Sequence, residues 1–247
     1  MFPDRGLALA SESGVTDADY VLERKEHLDA AFLGGLAVDE PTRRAAVRMV
    51  DRDRKEFTYS DGDPIDLVSG WLSALETERK SVVPGVNVRA TKFEPLRRVA
   101  DIVNQYGAVL EINAHCRQSE MVSLGCGHGL LRDLDRLSYW VSRLTDTGVK
   151  VGVKTRVGVV DDVEMAKTLE ESGCSYLHVD CMDSPEVVDK VTSATDLFFI
   201  ANNGVRSHED ARDYFERGAD MVSTARGGRR TEDLRRIKRS LSKNGEK

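Results

Sequence analysis

Cys116 is the residue in this chain best placed to do chemistry. Five residues of strand character, Val109 to Asn113, run into His115 and Cys116, and after a turn-rich stretch Gly127-His128-Gly129 opens a helical run. A thiol at the C-terminal end of a buried strand, beside a helix opened by glycine, stands where α/β enzymes gather reactive groups. The commonest role of a cysteine is a small buried hydrophobe; a strand end beside His115 favours chemistry over packing. Lys154, in Val-Lys-Thr-Arg, lies inside another apolar strand. An ammonium there is costly unless it serves an anion or an electron-rich ring, or snorkels to the strand's open end. Asn87 and Asn113 offer amide donor–acceptor pairs to a pyrimidine-like edge. Asn203-Gly204 and Ala225-Arg226-Gly227-Gly228 can present free backbone N–H groups of the kind that cradle phosphate.

The elements that must position these groups follow from periodicity and caps. Short apolar runs near residues 7, 30, 83, 109, 150, 176, 197 and 221 read as strands, each followed by a helical stretch. Phe93 to Tyr106, for example, carries apolar residues at 93, 96, 99, 102, 103 and 106, one face of a helix. Other helices are expected over 18–28, 41–52 and 64–78, from 127 to about 147, from 161 to 172, after Ser184-Pro185, after Ser207, and over 231–241; Phe57-Thr-Tyr59 reads as a brief side strand. Strict alternation closing at eight, with strands apolar on both faces, predicts an α/β fold, a single-domain (β/α)₈ TIM barrel; a doubly wound open sheet is the alternative. The barrel would span 1–230, with 231–247 a basic C-terminal helix or tail.

In a barrel, only the C-terminal strand ends face the chemistry. Those positions hold Ser11-Glu12-Ser13, Asn87 and Arg89, Asn113 with His115-Cys116, Lys154 and Arg156, His178 and Asp180, Asn202-Asn203-Gly204, and Ala225-Arg226-Gly227. Core filling alone would put valine and leucine there, so the polar ring points to a site. Loops after strands seven and eight are the usual phosphate site of such barrels. A phosphate cradle with a lysine across the ring suits a phosphorylated planar cofactor such as FMN, whose reduced, anionic form a lysine would stabilise.

Composition narrows the class. A length of 247 residues suits one barrel with a large core, and a net charge of −6 argues against a uniformly basic nucleic-acid surface while leaving room for a local basic patch. The four cysteines, 116, 126, 174 and 181, show no CxxC pair, so neither a disulfide framework nor a zinc site is expected; a set of His115, Cys116, Cys126 and His128 lacks a second tight pair. No apolar run approaches the ~18 residues of a membrane helix, and no basic-then-apolar leader opens the chain, so a cytoplasmic protein is expected. No GxGxxG follows a strand, so a pyridine nucleotide, NADPH or NADH, would act only as a transient reductant.

Several segments resemble the tRNA-dihydrouridine synthases, FMN-dependent TIM barrels. Asn113-x-x-Cys116 with Gly127 eleven residues after the cysteine, before Leu130-Leu131, is similar to their Asn-x-Gly-Cys-Pro and Gly-Ser-Ala-Leu-Leu motifs. Gly14-Val-Thr-Asp17 is similar to their first-strand turn, Val153-Lys154-Thr-Arg156 to Val-Lys-x-Arg, Asn203-Gly204 to their phosphate motif, and Gly218 to Arg226 to their closing Gly-Ala-Asp segment. The resemblance implies that Ser11 and Ser13 lie along the flavin and that Asn87 replaces a flavin-binding glutamine. Lys154 and His178 would contact the cofactor, and Asn203, Gly204, Ala225 and Arg226 would hold its phosphate. It implies hydride transfer from reduced FMN to C6 of a uridine in tRNA, with Cys116 protonating C5, a task within reach of a thiol. The departures are Arg117 for the motif proline, His115 for its glycine, Ser119-Glu120 for a lysine pair, and Val179-Asp180 for the Gly-Arg after the histidine. The chain also stops soon after the barrel, as expected of an archaeal type lacking the helical tRNA-binding domain, with basic Arg226–Arg230 and Arg235–Arg239 there instead. The rival readings are a dihydroorotate dehydrogenase-like flavoenzyme on a free pyrimidine, a barrel enzyme acting on phosphorylated metabolites without flavin, and a non-catalytic phosphate- or flavin-binding barrel.

Overall fold

The computed structural model describes residues 1–57, 62–78, 81–181 and 184–242. All eight expected strands form: β1 (Gly6–Leu9), β2 (Ala30–Ala37), β3 (Val83–Arg89), β4 (Val109–Asn113), β5 (Lys150–Arg156), β6 (Tyr176–Asp180), β7 (Phe198–Asn202) and β8 (Met221–Thr224). They pair in chain order, all parallel, and β8 returns to β1 to close the barrel. The strands are short and rich in Val, Leu, Ile and Ala because both faces are buried, one in the lumen and one under the helices.

Alternation along each strand sorts the side chains. Leu7, Leu33, Val86, Val88, Leu110, Ile112, Val151, Val153, Leu177 and Val179 point outward into the layer beneath the helices. The inward set is graded. At the N-terminal end it is aromatic and aliphatic: Phe32, Tyr176, Ile200 and Met221 pack together, and Phe2 closes the base against Phe32, Tyr176 and Phe198 with ring centroids 5.2–6.1 Å apart. Gly152 makes room for this layer, since a Cβ there would come within 2.1 Å of the Tyr176 ring. One residue pair higher, the lumen turns polar, with Asn87, Glu111, Lys154, His178 and Ser223. That change, from oil to hydrogen-bonding groups along one tube, positions the site.

The helices follow expectation except where side chains cut them. The helix expected over 18–28 ends at Leu22, where Arg24 Nη1 donates to the Tyr20 carbonyl while its guanidinium lies 3.5 Å from the Tyr20 ring centroid; a 3₁₀ turn, Lys25–His27, follows. The run expected from 127 to 147 divides into a turn, His128–Leu131, and a helix, Leu134–Thr145, because Asp133 leaves helical geometry and caps Arg136 N. Phe57 closes a 3₁₀ turn, Lys55–Phe57, rather than opening a strand; Thr58 and Tyr59 lie outside the described residues. The last helix, Thr231–Ser242, sets fully buried Leu234 and Ile237 on the barrel wall, each contributing about 1.5–3 kcal/mol by removal from water. No helix among the described residues is long and apolar enough to cross a membrane.

Candidate functional site

The C-terminal ends of the strands surround a cavity of about 760 Å³. Nine of the eleven residues singled out from the sequence line it: Ser11, Ser13, Asn113, Cys116, Lys154, Asn203, Gly204, Ala225 and Arg226. Asn87 and His178 do not. Both are fully buried in the layer that floors it, where their polar atoms are engaged by protein.

That floor is a continuous hydrogen-bonded layer. Asn87 Nδ2 donates to Glu111 Oε1 at 2.7 Å, and His178 Nδ1 donates to Glu111 Oε2 at 2.7 Å. On its other side, His178 Nε2 meets Ser223 Oγ at 2.7 Å, and Asn202 Nδ2 donates to the same oxygen at 2.7 Å. Asn113 Nδ2 donates to Asn87 Oδ1 at 2.8 Å, while Asn113 Oδ1 accepts from the backbone N–H of Cys116 at 3.0 Å. Glu111, His178 and Ser223 thus form an acid–imidazole–hydroxyl chain, but all three are fully buried and face no opening. Burial raises the Glu111 carboxyl, yet His178, Lys154 and Asn87 outweigh it and hold Glu111 below its ordinary value; burial pushes His178 down. The consistent state is a carboxylate accepting from a neutral imidazole, with Ser223 donating to Nε2.

Above the floor, the Cys116 turn is held at three points. Asn113 takes its N–H, the N–H of His128 donates to its carbonyl at 2.9 Å, and Gly127 (φ +56°) presses so close that a Cβ would sit 2.0 Å from that carbonyl oxygen. The glycine is obligatory on both counts. The Cys116 side chain reaches the cavity from an apolar cluster with Met49, Phe57, Met121 and Cys126. Cys126 is a different thiol: its Sγ donates to the Ala90 carbonyl, and burial pushes its pKa up to about 12.

On the neighbouring strand β5, Lys154 is in register with Asn113 and 4% exposed. Among the described residues no hydrogen-bond or ion-pair partner reaches its ammonium. Between them, the two loops that follow β7 and β8 leave backbone N–H groups of Val205, Arg226 and Gly227 without acceptors among the described residues. Asn203 and Gly204 both have φ +79°, which turns the chain, and the Gly204 N–H is spent on Asn203 Oδ1. Asn203 Nδ2 in turn donates to Asp180 Oδ1 at 2.9 Å. Asp180 Oδ2 receives His115 Nε2 at 2.8 Å and Arg156 Nη1 at 3.1 Å. Burial opposes the charge on Asp180, but these partners hold it well below the usual carboxylate range; burial likewise lowers His115, which therefore donates as a neutral ring. At the rim, Arg89 donates to Ser13 Oγ at 3.1 Å and to the Gly35 carbonyl, and the Arg54 and Arg89 guanidinium carbons lie 5.7 and 5.3 Å from the Phe57 ring centroid. Seven basic side chains line the cavity against three acidic ones, inside a protein whose net charge is −6.

Sequence reasoning missed Glu111 and Ser223. The signal for Glu111 was present, since an ionisable side chain inside a buried strand is as costly as Lys154 and stands two residues before Asn113 on the same face. A serine in mid-strand carries no such signal. Arg54, Phe57, Arg117 and Arg206 arrive on loops whose path to the rim has no local signature. Among the described residues no three His, Cys, Asp or Glu side chains come together as a metal site, and all four cysteines are free.

The family model described as dihydrouridine synthase (Dus) matches residues 72–231. A protein of Methanocaldococcus jannaschii whose function is uncharacterised is 26% identical over 235 residues, 90% of this chain and 89% of that relative. Among solved structures, a mutant tryptophan synthase α-subunit from Pyrococcus furiosus superposes with a TM-score of 0.60 at 11% identity, covering 98% of each chain. FabK from Thermotoga maritima superposes with a TM-score of 0.58 at 13% identity, covering 90% of this chain and 58% of that one. At such identities the structural likeness shows the fold alone.

Proposed function

This chain belongs to the dihydrouridine synthase family, and from that membership we propose that it is an FMN-dependent oxidoreductase that reduces the C5–C6 bond of a uridine in tRNA. The observation that carries this reading is one cavity lined by a strand-end thiol, a buried ammonium and a set of backbone N–H groups, the last two without partners among the described residues. The donor set fits a phosphorylated, electron-rich ring. Val205, Arg226 and Gly227 would hold the phosphate through their N–H groups, with the Asn203-Gly204 turn setting the loop and the Arg226 side chain adding charge. Lys154 would meet the anionic edge of the ring, Ser11 and Ser13 would lie beside it, and Asn113 would offer what its amide has left. Asn87 and His178 would act from below, by holding Glu111 and Asn113. When bound, reduced FMN supplies the hydride.

Cys116 has the complementary task of delivering a proton from Sγ to C5 of the base. The cluster of Met49, Phe57, Met121 and Cys126 keeps water from the thiol side, so the proton comes from sulfur rather than from solvent. The excess of basic lining side chains favours a polyanionic substrate over a free base, with Arg117 and Arg206 available for backbone phosphates while Arg54 is paired with Glu56. Every lining residue among those described falls within 1–230, so the described part of the basic segment that follows adds no group to the cavity. A transient pyridine nucleotide as reductant and a cytoplasmic setting belong to the same reading.

The test begins with the visible spectrum of the purified protein and reconstitution with FMN. Flavin bands, followed by dihydrouridine detected by mass spectrometry in a tRNA transcript incubated with NADPH, are expected. Reduction of free uracil or orotate without reduction of the transcript would move the substrate to a free pyrimidine. A colourless protein that FMN cannot reconstitute overturns the oxidoreductase reading.

A further inference from the structure

Lys154 presents a physical problem that its neighbours solve in an unusual way. A buried ammonium without a hydrogen-bond partner is expensive, and the common remedy is a direct ion pair. Glu111 is one strand away in the same polar layer: β4 and β5 pair Glu111 with Gly152 and Asn113 with Lys154. Its carboxylate is instead anchored by Asn87 on one oxygen and His178 on the other, each at 2.7 Å, and makes no ion pair with Lys154 among the described residues. We infer that Glu111 is a positioning residue that acts on Lys154 by charge alone, balancing the ammonium while held too firmly to bind it, so that the lysine stays both charged and available. The inference deepens the reading of the cavity as an FMN site and rests on it for the ligand, though not for the state of the lysine.

The groups facing Lys154 support it. Burial works most strongly against the charge, Glu111 and Asp180 favour it, and Arg89 opposes it. His178 and His115, both lowered by burial, add no positive charge. Asp180 is likewise anchored by His115, Arg156 and Asn203, and neither carboxylate that supports the ammonium pairs with it among the described residues.

Glu111→Gln separates charge from geometry. Its carbonyl oxygen still accepts from Asn87, and its amide donates to His178 Nδ1 if the ring moves its proton to Nε2 and donates to Ser223 Oγ. Every hydrogen bond survives and only the charge is lost. Plain electrostatics predicts tighter anion binding once a negative charge is removed; the inference predicts the opposite, because the lysine gives up its proton. In apoprotein labelled with ¹³C-lysine, the Lys154 Cε resonance, assigned by its absence in Lys154→Met, should titrate lower by about one pH unit or more in Glu111→Gln. An unchanged or higher midpoint overturns the inference. In parallel, FMN affinity followed by fluorescence quenching should weaken by about tenfold or more, toward that of Lys154→Met, and unchanged or tighter binding overturns it. If wild-type protein binds no FMN, the cofactor reading fails while the resonance still decides the role of Glu111. If Glu111→Gln does not fold, the double variant with Lys154→Met should, because the uncompensated ammonium is gone. A double variant that also fails to fold assigns Glu111 a purely structural role and overturns the inference.

Discussion

At the scale of single residues, the site divides into groups that meet a ligand and groups that hold those groups still. On the proposed reading, Cys116 is of the first kind. Replacing it with alanine should lower turnover by about 10²–10⁴-fold while leaving FMN affinity unchanged, because on that reading the thiol would move a proton and bind nothing else. Equal loss of affinity and turnover would place it in the binding wall instead. His128 belongs to the second kind and gives the protein an acid-sensitive point. Burial, with His115, Arg132, Arg156 and Arg117 around it, pushes its pKa from 6.5 down to about 4. Between those values the unfolded chain binds a proton that the folded chain refuses, so acidification through this window removes stability, and above it His128 has no effect. Urea midpoints measured at pH 7 and pH 4.5 should therefore differ less in His128→Gln than in wild type; an equal drop in both would clear His128 of the role. Cys116 and Lys154 were legible from sequence because a reactive or charged side chain in an apolar run announces its own cost. The partners that make them useful were less so. The His115–Asp180 contact joins residues 65 positions apart, and nothing local in either segment points to the other.

At the scale of elements, the turn after β4 has little room for change. Gly127→Ala would push a methyl group into the Cys116 carbonyl at a positive φ, and a cost of at least about 1–3 kcal/mol is expected in urea unfolding. Peptide-mapped alkylation should show Cys116 reacting faster in that variant; unchanged stability and labelling would mean that the turn has room to shift. Strand positions were readable to within a residue or two because doubly buried strands are apolar throughout and bounded by glycine, proline and acidic caps. The helix breaks at Arg24 and Asp133 were not, since each depends on where one side chain turns, toward Tyr20 O or toward Arg136 N. The last helix shows the same limit. Its arginines are obvious in sequence, but that Leu234 and Ile237 bury completely against the barrel depends on the barrel being there.

At the scale of the whole molecule, charge is distributed against its own sum. An acidic protein concentrates basic groups at one mouth, which focuses anions there and repels them elsewhere. If that mouth takes RNA, log affinity should fall linearly with log salt, and Arg206→Ala or Arg117→Ala should each reduce the slope by roughly 0.7–0.9, one phosphate contact. A slope that neither substitution alters would put the RNA on another face. The fold was open to sequence because eight βα units leave few ways to close. The charge focus was not, because net charge counts residues and a mouth is a matter of which of them meet.

The aromatic base made by Phe2, Phe32, Tyr176 and Phe198 has a further consequence. It packs the lower end of the lumen shut, like the bottom of a test tube, so that among the described residues deuterium from heavy water has to pass the hydrogen-bonded layer under the mouth to reach the buried ring N–H of His178. Whatever occupies the mouth is then a stopper. Isotope exchange at this one imidazole should slow in proportion to occupancy, and a proton that never touches the ligand becomes a gauge of whether the tube is filled.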